Sequence, residues 1–185
     1  MKDAIVIGDG PGGLSAALFL AKNGLDVVVF GQDKTAMHAA LLNNYLGLPA
    51  VLGRDFQQIA RNQVTACGAE IRSQRVTAAT KTEGGYAVTT DSGETLSARF
   101  LVLSEGKGPR LATTLGLDHN EETGIATDRN GHSKLDGVYV VGRSARPGRS
   151  QAIISAGDGA AAAIDILSRR EGASFCDWDS PPEDG

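Results

Sequence analysis

Four short runs of consecutive apolar residues frame this chain: Ala4-Ile5-Val6-Ile7, Val27-Val28-Val29-Phe30, Phe100-Leu101-Val102-Leu103 and Val138-Tyr139-Val140-Val141. Each is too short for a helix, apolar at every position and closed by glycine or a polar turn, the pattern of parallel strands buried on both faces. Between the first two, Leu14, Ala17, Leu18 and Ala21 recur at helical spacing, with Pro11 suited to a first turn and Gly24 to a stop. Strand, glycine turn, helix and strand within about thirty residues make a βαβ unit.

Further along, the pattern predicts a second helix over residues 55–67, stopped by Gly68, and a short strand at Glu70-Ile71 beside the first strand. Residues 75–80, 86–90 and 94–96 read as three short strands, separated by the hairpin signals Glu83-Gly84-Gly85 and Asp91-Ser92-Gly93. A last helix over residues 151–168 places Ile153, Ile154, Ile164 and Leu167 on its apolar side. Gly157, Gly159 and the alanines 160–163 keep part of that helix thin, so that a neighbour can approach closely. Residues 31–53 show no period and read as a long connection holding one short helix.

These elements predict an α/β fold: a single Rossmann-like domain, a parallel sheet with flanking helices plus a small antiparallel β-meander. It spans residues 1–170, and residues 171–185 form a loosely docked acidic tail. The composition agrees, since 41% hydrophobic and 22% charged residues in 185 describe a globular chain of one domain. A net charge of −4 offers no general attraction for nucleic acid or an anionic membrane. No run is long enough for a signal peptide or a membrane span, so the expected location is cytoplasmic. Cys67 and Cys176 form neither a Cys-x-x-Cys pair nor part of a metal-ligand set and read as two unpaired thiols. No nucleophile–base pair stands out to name a catalytic residue.

The chemistry concentrates in Gly8-Asp9-Gly10-Pro11-Gly12-Gly13, where Gly8, Gly10 and Gly13 satisfy G-x-G-x-x-G between a strand and a helix. In that setting the glycines allow a tight turn and a close approach of a pyrophosphate, which the unpaired N–H groups and the dipole of the helix N-terminus favour. The alternative is a purely structural turn. An acidic residue is expected near the end of the second strand to hold ribose hydroxyls, and the nearest one past Phe30 is Asp33. The pattern leaves the identity of the dinucleotide open.

The glycine loop, Leu101-Val102-Leu103-Ser104-Glu105-Gly106, Gly137-Val138-Tyr139-Val140-Val141-Gly142 and Gln151-Ala152-Ile153-Ile154-Ser155-Ala156-Gly157, in this order, resemble the FAD domain of thioredoxin reductase and its relatives, over residues 4–170. The resemblance implies FAD as cofactor, a homodimer, and an oxidoreductase. It further implies that Asn44 lies beside the flavin ring with His38 near its edge, and that the Val76 backbone meets adenine. It also implies cofactor-binding positions at Gly106, in the turn after the third buried strand, and at Gly142, which ends the last one, while Gln151 and Ala152 would set the last helix against the flavin. His38 is open to a role as donor or proton relay, or to a plain structural one.

The departures are as informative. In the resembling family a pyridine-nucleotide domain carrying the Cys-x-x-Cys is inserted after the turn matching Gly106, whereas only a short stretch separates Gly106 from Val138. The electron donor is therefore expected to be external, a free NAD(P)H or a redox protein, and a non-catalytic nucleotide-binding module or a partner subunit of a redox complex is the alternative. Arg143 stands where the family has an aspartate, and arginine accepts no hydrogen bond. With Arg146 and Arg149 it could clamp the pyrophosphate, dock an acidic partner or form a solvated basic loop. Glu105 replaces a small residue, with no role legible from sequence.

Overall fold

The structure is a computed structural model that describes residues 1–181; positions 182–185 of the expected tail lie outside the described residues. Strand β1 (Lys2–Ile7), helix α1 (Pro11–Lys22) and strand β2 (Val27–Phe30) form the expected βαβ unit, with Ala4 opposite Val27 and Ile7 opposite Phe30 in parallel register. A 3-10 turn at Ala36–Ala39 and a hairpin of β3 (Leu41–Leu42) and β4 (Val51–Leu52) occupy the aperiodic stretch before α2 (Gly53–Ala66). Then come β5 (Glu70–Arg72), β6 (Val76–Thr82), β7 (Gly85–Thr90) and β8 (Thr95–Leu103). The chain closes with α3 (Arg110–Thr114), a small hairpin of β9 (His119–Asn120) and β10 (Gly124–Ile125), β11 (Val138–Val140) and α4 (Ala152–Glu171).

The main sheet runs β5-β2-β1-β8-β7-β6, with β11 also paired to β8. Glu70-Ile71 therefore sits beside the second strand and not the first, because β1 already has β2 on one edge and β8 on the other. The strands expected at 94–96 and 100–103 are one continuous strand. The early part of β8 pairs antiparallel with β7, and its last three residues pair in parallel with β11 on the same edge. Ala98, between the two apolar stretches, is fully buried opposite Lys2 and Tyr86, so a polar-looking break in sequence is a buried crossing in space.

Alternation along the strands divides the core in two. Ala4, Val6, Val27, Val29, Val102 and Tyr139 point into a cluster shared with Leu14, Leu20, Ala162 and Ile166 of α1 and α4. Ile5, Ile7, Val28, Leu101, Leu103 and Val140 point the other way, against Tyr86, Val88, Leu111 and Leu117. Both faces are covered, which is why the strands read as unbroken apolar runs.

Helix α4 packs on α1 by its small residues. A Cβ built on Gly159 would lie 2.0 Å from the Gly12 carbonyl oxygen, so only glycine permits this approach. Ile153 and Ile154, expected on the buried side, are exposed at 36% and 37%, whereas Leu167 is buried as expected, beside Ala162, Ala163 and Ile166. The tail is anchored more firmly than its composition suggests: Phe175 packs against the helical core and Lys22 Nζ donates to Asp177 at 3.0 Å and to Asp179. Among the described residues no helix is long and apolar enough to cross a membrane.

Candidate functional site

The carboxyl end of β1, the ends of β2 and β8, the turn after β11 and the start of α1 converge on a cleft of about 560 Å³. This is where chain order reverses between β1 and β8, the place at which open α/β sheets bind ligands. Gly8 has φ +101°, and a Cβ there would meet the Ser104 carbonyl oxygen at 2.1 Å, so the loop is pressed onto the end of β8. Gly10 caps α1 without a side chain and with open space where a Cβ would stand, and Pro11 occupies the first turn. The amino end of α1, backbone amides and dipole together, has no side-chain cap, and an anionic phosphate group fits it.

Gly8, Gly10, Pro11, Gly12, Val76, Gly106, Gly142, Arg143 and Ala152 line the cleft. Gly13 stands behind it, packed on the Gly8 carbonyl. Asp33, His38, Asn44 and Gln151 lie outside its walls. Asp33, in a left-handed conformation at φ 53°, sends its carboxylate to His38 Nε2 at 3.0 Å. Asn44 Nδ2 donates to Gln151 Oε1 at 3.2 Å, which ties the β3–β4 hairpin to the cap of α4.

Cationic side chains dominate the rim: Lys34, Arg75, Lys107, Arg110 and Arg143 all contribute to the walls. The arginine cluster after β11 divides. Arg146 Nε donates to Asp158 Oδ1 at 3.0 Å, leaving Arg143, exposed, as the member that reaches the cleft. Burial raises the Asp158 carboxyl above its ordinary range against the pull of Arg146 and of a bond from the Gly142 backbone, so this acid on α4 braces the turn that carries Arg143.

Glu105 has a structural account that its sequence position concealed. Its carboxylate accepts the N–H groups of Leu111 at 2.8 Å and Ala112 at 3.0 Å, capping α3. Burial pushes its pKa up, opposed by those two bonds and by the Arg110 charge. From the same helix Arg110 donates to the Thr77 and Val76 carbonyls at 2.9 and 3.0 Å, so the segments around Gly106 and Val76 are held together. Sequence reading missed α3; an acid five residues before Arg110, with Pro109 between them, was the available signal.

A second cleft of about 530 Å³ adjoins the first across Pro11. Its walls are apolar, with Leu14, Leu18, Tyr45, Leu46, Phe56 and Ile59 prominent, and Leu46 is 89% exposed. Cys67 and Cys176 are both free thiols and line neither cleft.

Comparison with known proteins places this geometry. The family model described as pyridine nucleotide-disulphide oxidoreductase matches residues 45–159. A ferredoxin–NADP reductase of Lactococcus lactis subsp. lactis is 30% identical over 166 residues, 85% of this chain and 49% of that protein. A thioredoxin reductase of Spironucleus barkhanus is 26% identical over 126 residues, 66% and 41% of the two chains. The chain thus spans about half or less of the length of these curated relatives. Among solved structures, a thioredoxin reductase from Gloeobacter violaceus superposes with a TM-score of 0.87 at 17% identity, covering 97% of this chain and 99% of that one, a likeness of fold. With well over half of its length matched, this chain belongs to the pyridine nucleotide-disulphide oxidoreductase family, a family of FAD-binding flavoenzymes.

Proposed function

We propose that the strand-end cleft holds FAD and that the chain serves as an oxidoreductase taking electrons from an external donor. The observation that carries this reading is the uncapped amino end of α1, set by Gly8 and Gly10 at the switch point of the sheet and opening on a cation-rimmed cleft. When bound, FAD supplies two-electron redox chemistry. The chain's own residues bind and orient it. The first turn of α1 takes the pyrophosphate, the Val76 backbone borders the adenine side, and Arg143 adds a forked cationic donor where the family resemblance expects an aspartate.

On this reading residues 1–170 form the cofactor domain and 171–185 its tail, in a cytoplasmic protein whose two thiols stay reduced. The donor is a free NAD(P)H or a small redox protein, since only 31 residues (107–137) lie between Gly106 and Val138. A second copy of the chain covers the apolar cleft, where Leu46, Leu48 and Ile59 stand exposed. The absence of both cysteines from either wall also favours a second reading, a nucleotide-holding module without dithiol turnover.

The test is the visible absorption spectrum of the purified protein, followed by heat release and chromatography of any cofactor. A yellow protein releasing FAD supports the reading; a colourless one that fails to take up added FAD overturns it. Steady turnover of the flavin with NAD(P)H and any acceptor would rule out the non-catalytic module.

A further inference from the structure

In dinucleotide-binding βαβ units the ribose hydroxyls are held by a carboxylate at the end of the second strand. Here the residue that follows β2 is Gly31, which has no side chain to offer. The space beside it is filled all the same. A Cβ built on Gly31 would lie 2.2 Å from Asp9 Cβ, 2.3 Å from Asp9 Cγ and 2.6 Å from Asp9 Oδ2. The carboxylate of Asp9, from inside the glycine loop, occupies the volume where a side chain of the strand end would stand. We propose that Asp9 is the ribose-binding acid of this chain, reaching the place of the missing β2 acid from the Gly8–Gly10 turn.

The surroundings of Asp9 fix its side chain there. The residue is 4% exposed, yet it lines the strand-end cleft. Helix α2 contributes two side chains one turn apart. Arg61 Nη1 bonds Asp9 Oδ2, and the amide of Gln57, 1% exposed, donates to the Asp9 carbonyl. The backbone N–H of Asp33 donates to the same Oδ2 at 3.0 Å. Oδ2 is thereby taken up by protein, while Oδ1 has no hydrogen-bond partner among the described residues and is left to accept from a vicinal diol. The Arg61 guanidinium also offsets the repulsion between Asp9 and the phosphates favoured at the neighbouring helix end. Asp33 itself, the nearest acid in sequence, is committed to His38 and stands outside the cleft.

The assignment rests on the reading of the cleft as an FAD site, and its test separates the two. Displacement of bound FAD, followed by flavin fluorescence, is titrated with ADP and with 2′-deoxy-ADP. One hydrogen bond to a charged acceptor corresponds to a preference for ADP of about tenfold or more in the native protein. Asp9→Ser is expected to reduce that preference to near unity, and Asp9→Asn, which keeps the loop's shape and a neutral acceptor, to an intermediate value. Asp33→Asn keeps the native preference. Equal binding of the two nucleotides by native protein, full preference retained in Asp9→Ser, or loss of preference in Asp33→Asn would each overturn the assignment. Should Asp9→Ser fail to fold, the native and Asp9→Asn titrations decide alone. A native protein that binds neither FAD nor ADP sinks the cofactor reading, and this assignment with it.

Discussion

Replacing Gly159 by alanine tests the helix contact that sets the amino end of α1. The added Cβ would stand 2.0 Å from the Gly12 carbonyl oxygen and 2.9 Å from the Ala16 nitrogen, and contacts under 3.0 Å are essentially never seen. The two helices must therefore separate by about 1 Å, the difference between 3.0 and 2.0, and both atoms are backbone, so no side chain can swing aside. Overpacking of this kind costs about 3 kcal/mol at the upper end of its usual range, and the helix-propensity gain of glycine to alanine returns about 1. The net loss of about 2 kcal/mol lowers the melting temperature by roughly 4–8 °C in a chain of this size. Gly157, two residues earlier in the same helix, has nothing within 4 Å of its Cβ. Gly157→Ala is thus expected to raise the melting temperature by a few degrees, about 0.5–1 kcal/mol. Calorimetry on the pair checks the argument. A Gly159→Ala protein as stable as the native one, beside a Gly157→Ala protein that gains, would refute the close approach. Because Gly12 belongs to the first turn of α1, Gly159→Ala is also expected to weaken FAD retention, whereas Gly157→Ala leaves it unchanged.

Other expectations follow from the polar contacts. Tyr139, fully buried, donates from its hydroxyl to Asp165, which Asn130 and Arg169 also bond; Tyr139→Phe should cost about 1.5 kcal/mol, read as a lower urea midpoint at unchanged slope. Glu105 has a native pKa raised above 4.5 by burial, so folding favours its protonated form, and the associated stability is present below that value and lost as pH rises through the native pKa. The melting temperature of Glu105→Gln relative to the native protein should therefore climb from about pH 4 and level off above the native pKa; a flat or falling difference would contradict the burial argument. The contact of Lys22 with Asp179 is exposed enough to be screened, whereas the Asp177 side chain is mostly buried, so about 1 M salt should speed proteolysis at residues 179–181 and leave α1 protected. Arg143→Asp should weaken FAD binding if its guanidinium meets a phosphate oxygen, and an unchanged dissociation constant would remove Arg143 from that role.

The fold was largely legible along the chain because its information is local. Apolar runs of four, rich in β-branched residues and each closed by a turn, read as strands buried on both faces, and the glycine loop between strand and helix carries its own backbone logic, so β1, α1, β2, the end of β8, β11 and α4 all lie where the pattern puts them. What the pattern could not settle was adjacency. Glu70-Ile71 joins β2 because β1 has no free edge, and β8 runs through Ala98 because Tyr86 and Lys2 cover it from two neighbouring strands. In α4 the glycine and alanine face and Leu167 lie where the pattern puts them, against the core, whereas Ile153 and Ile154 in the first turn face solvent, because a helix end has no neighbour that periodicity alone can assign.

The site divides in the same way. The backbone positions Gly8, Gly10, Gly106 and Gly142 line the cleft because φ and the absence of a Cβ are properties of a residue and its turn. Charged side chains were placed by sequence distance, which says little about where a long side chain ends. Asp33 is closest in sequence to the end of β2 but turns to His38, while Asp9, more than twenty residues away, fills the space beside Gly31. Glu105 looked misplaced until the five-residue helix it caps was in view. Strands and glycine turns were determined by the sequence alone, through periodicity and backbone sterics; which carboxylate faces which cleft was decided only when β2, α2 and the glycine loop came together, because burial and ion pairing depend on neighbours that the chain does not place side by side.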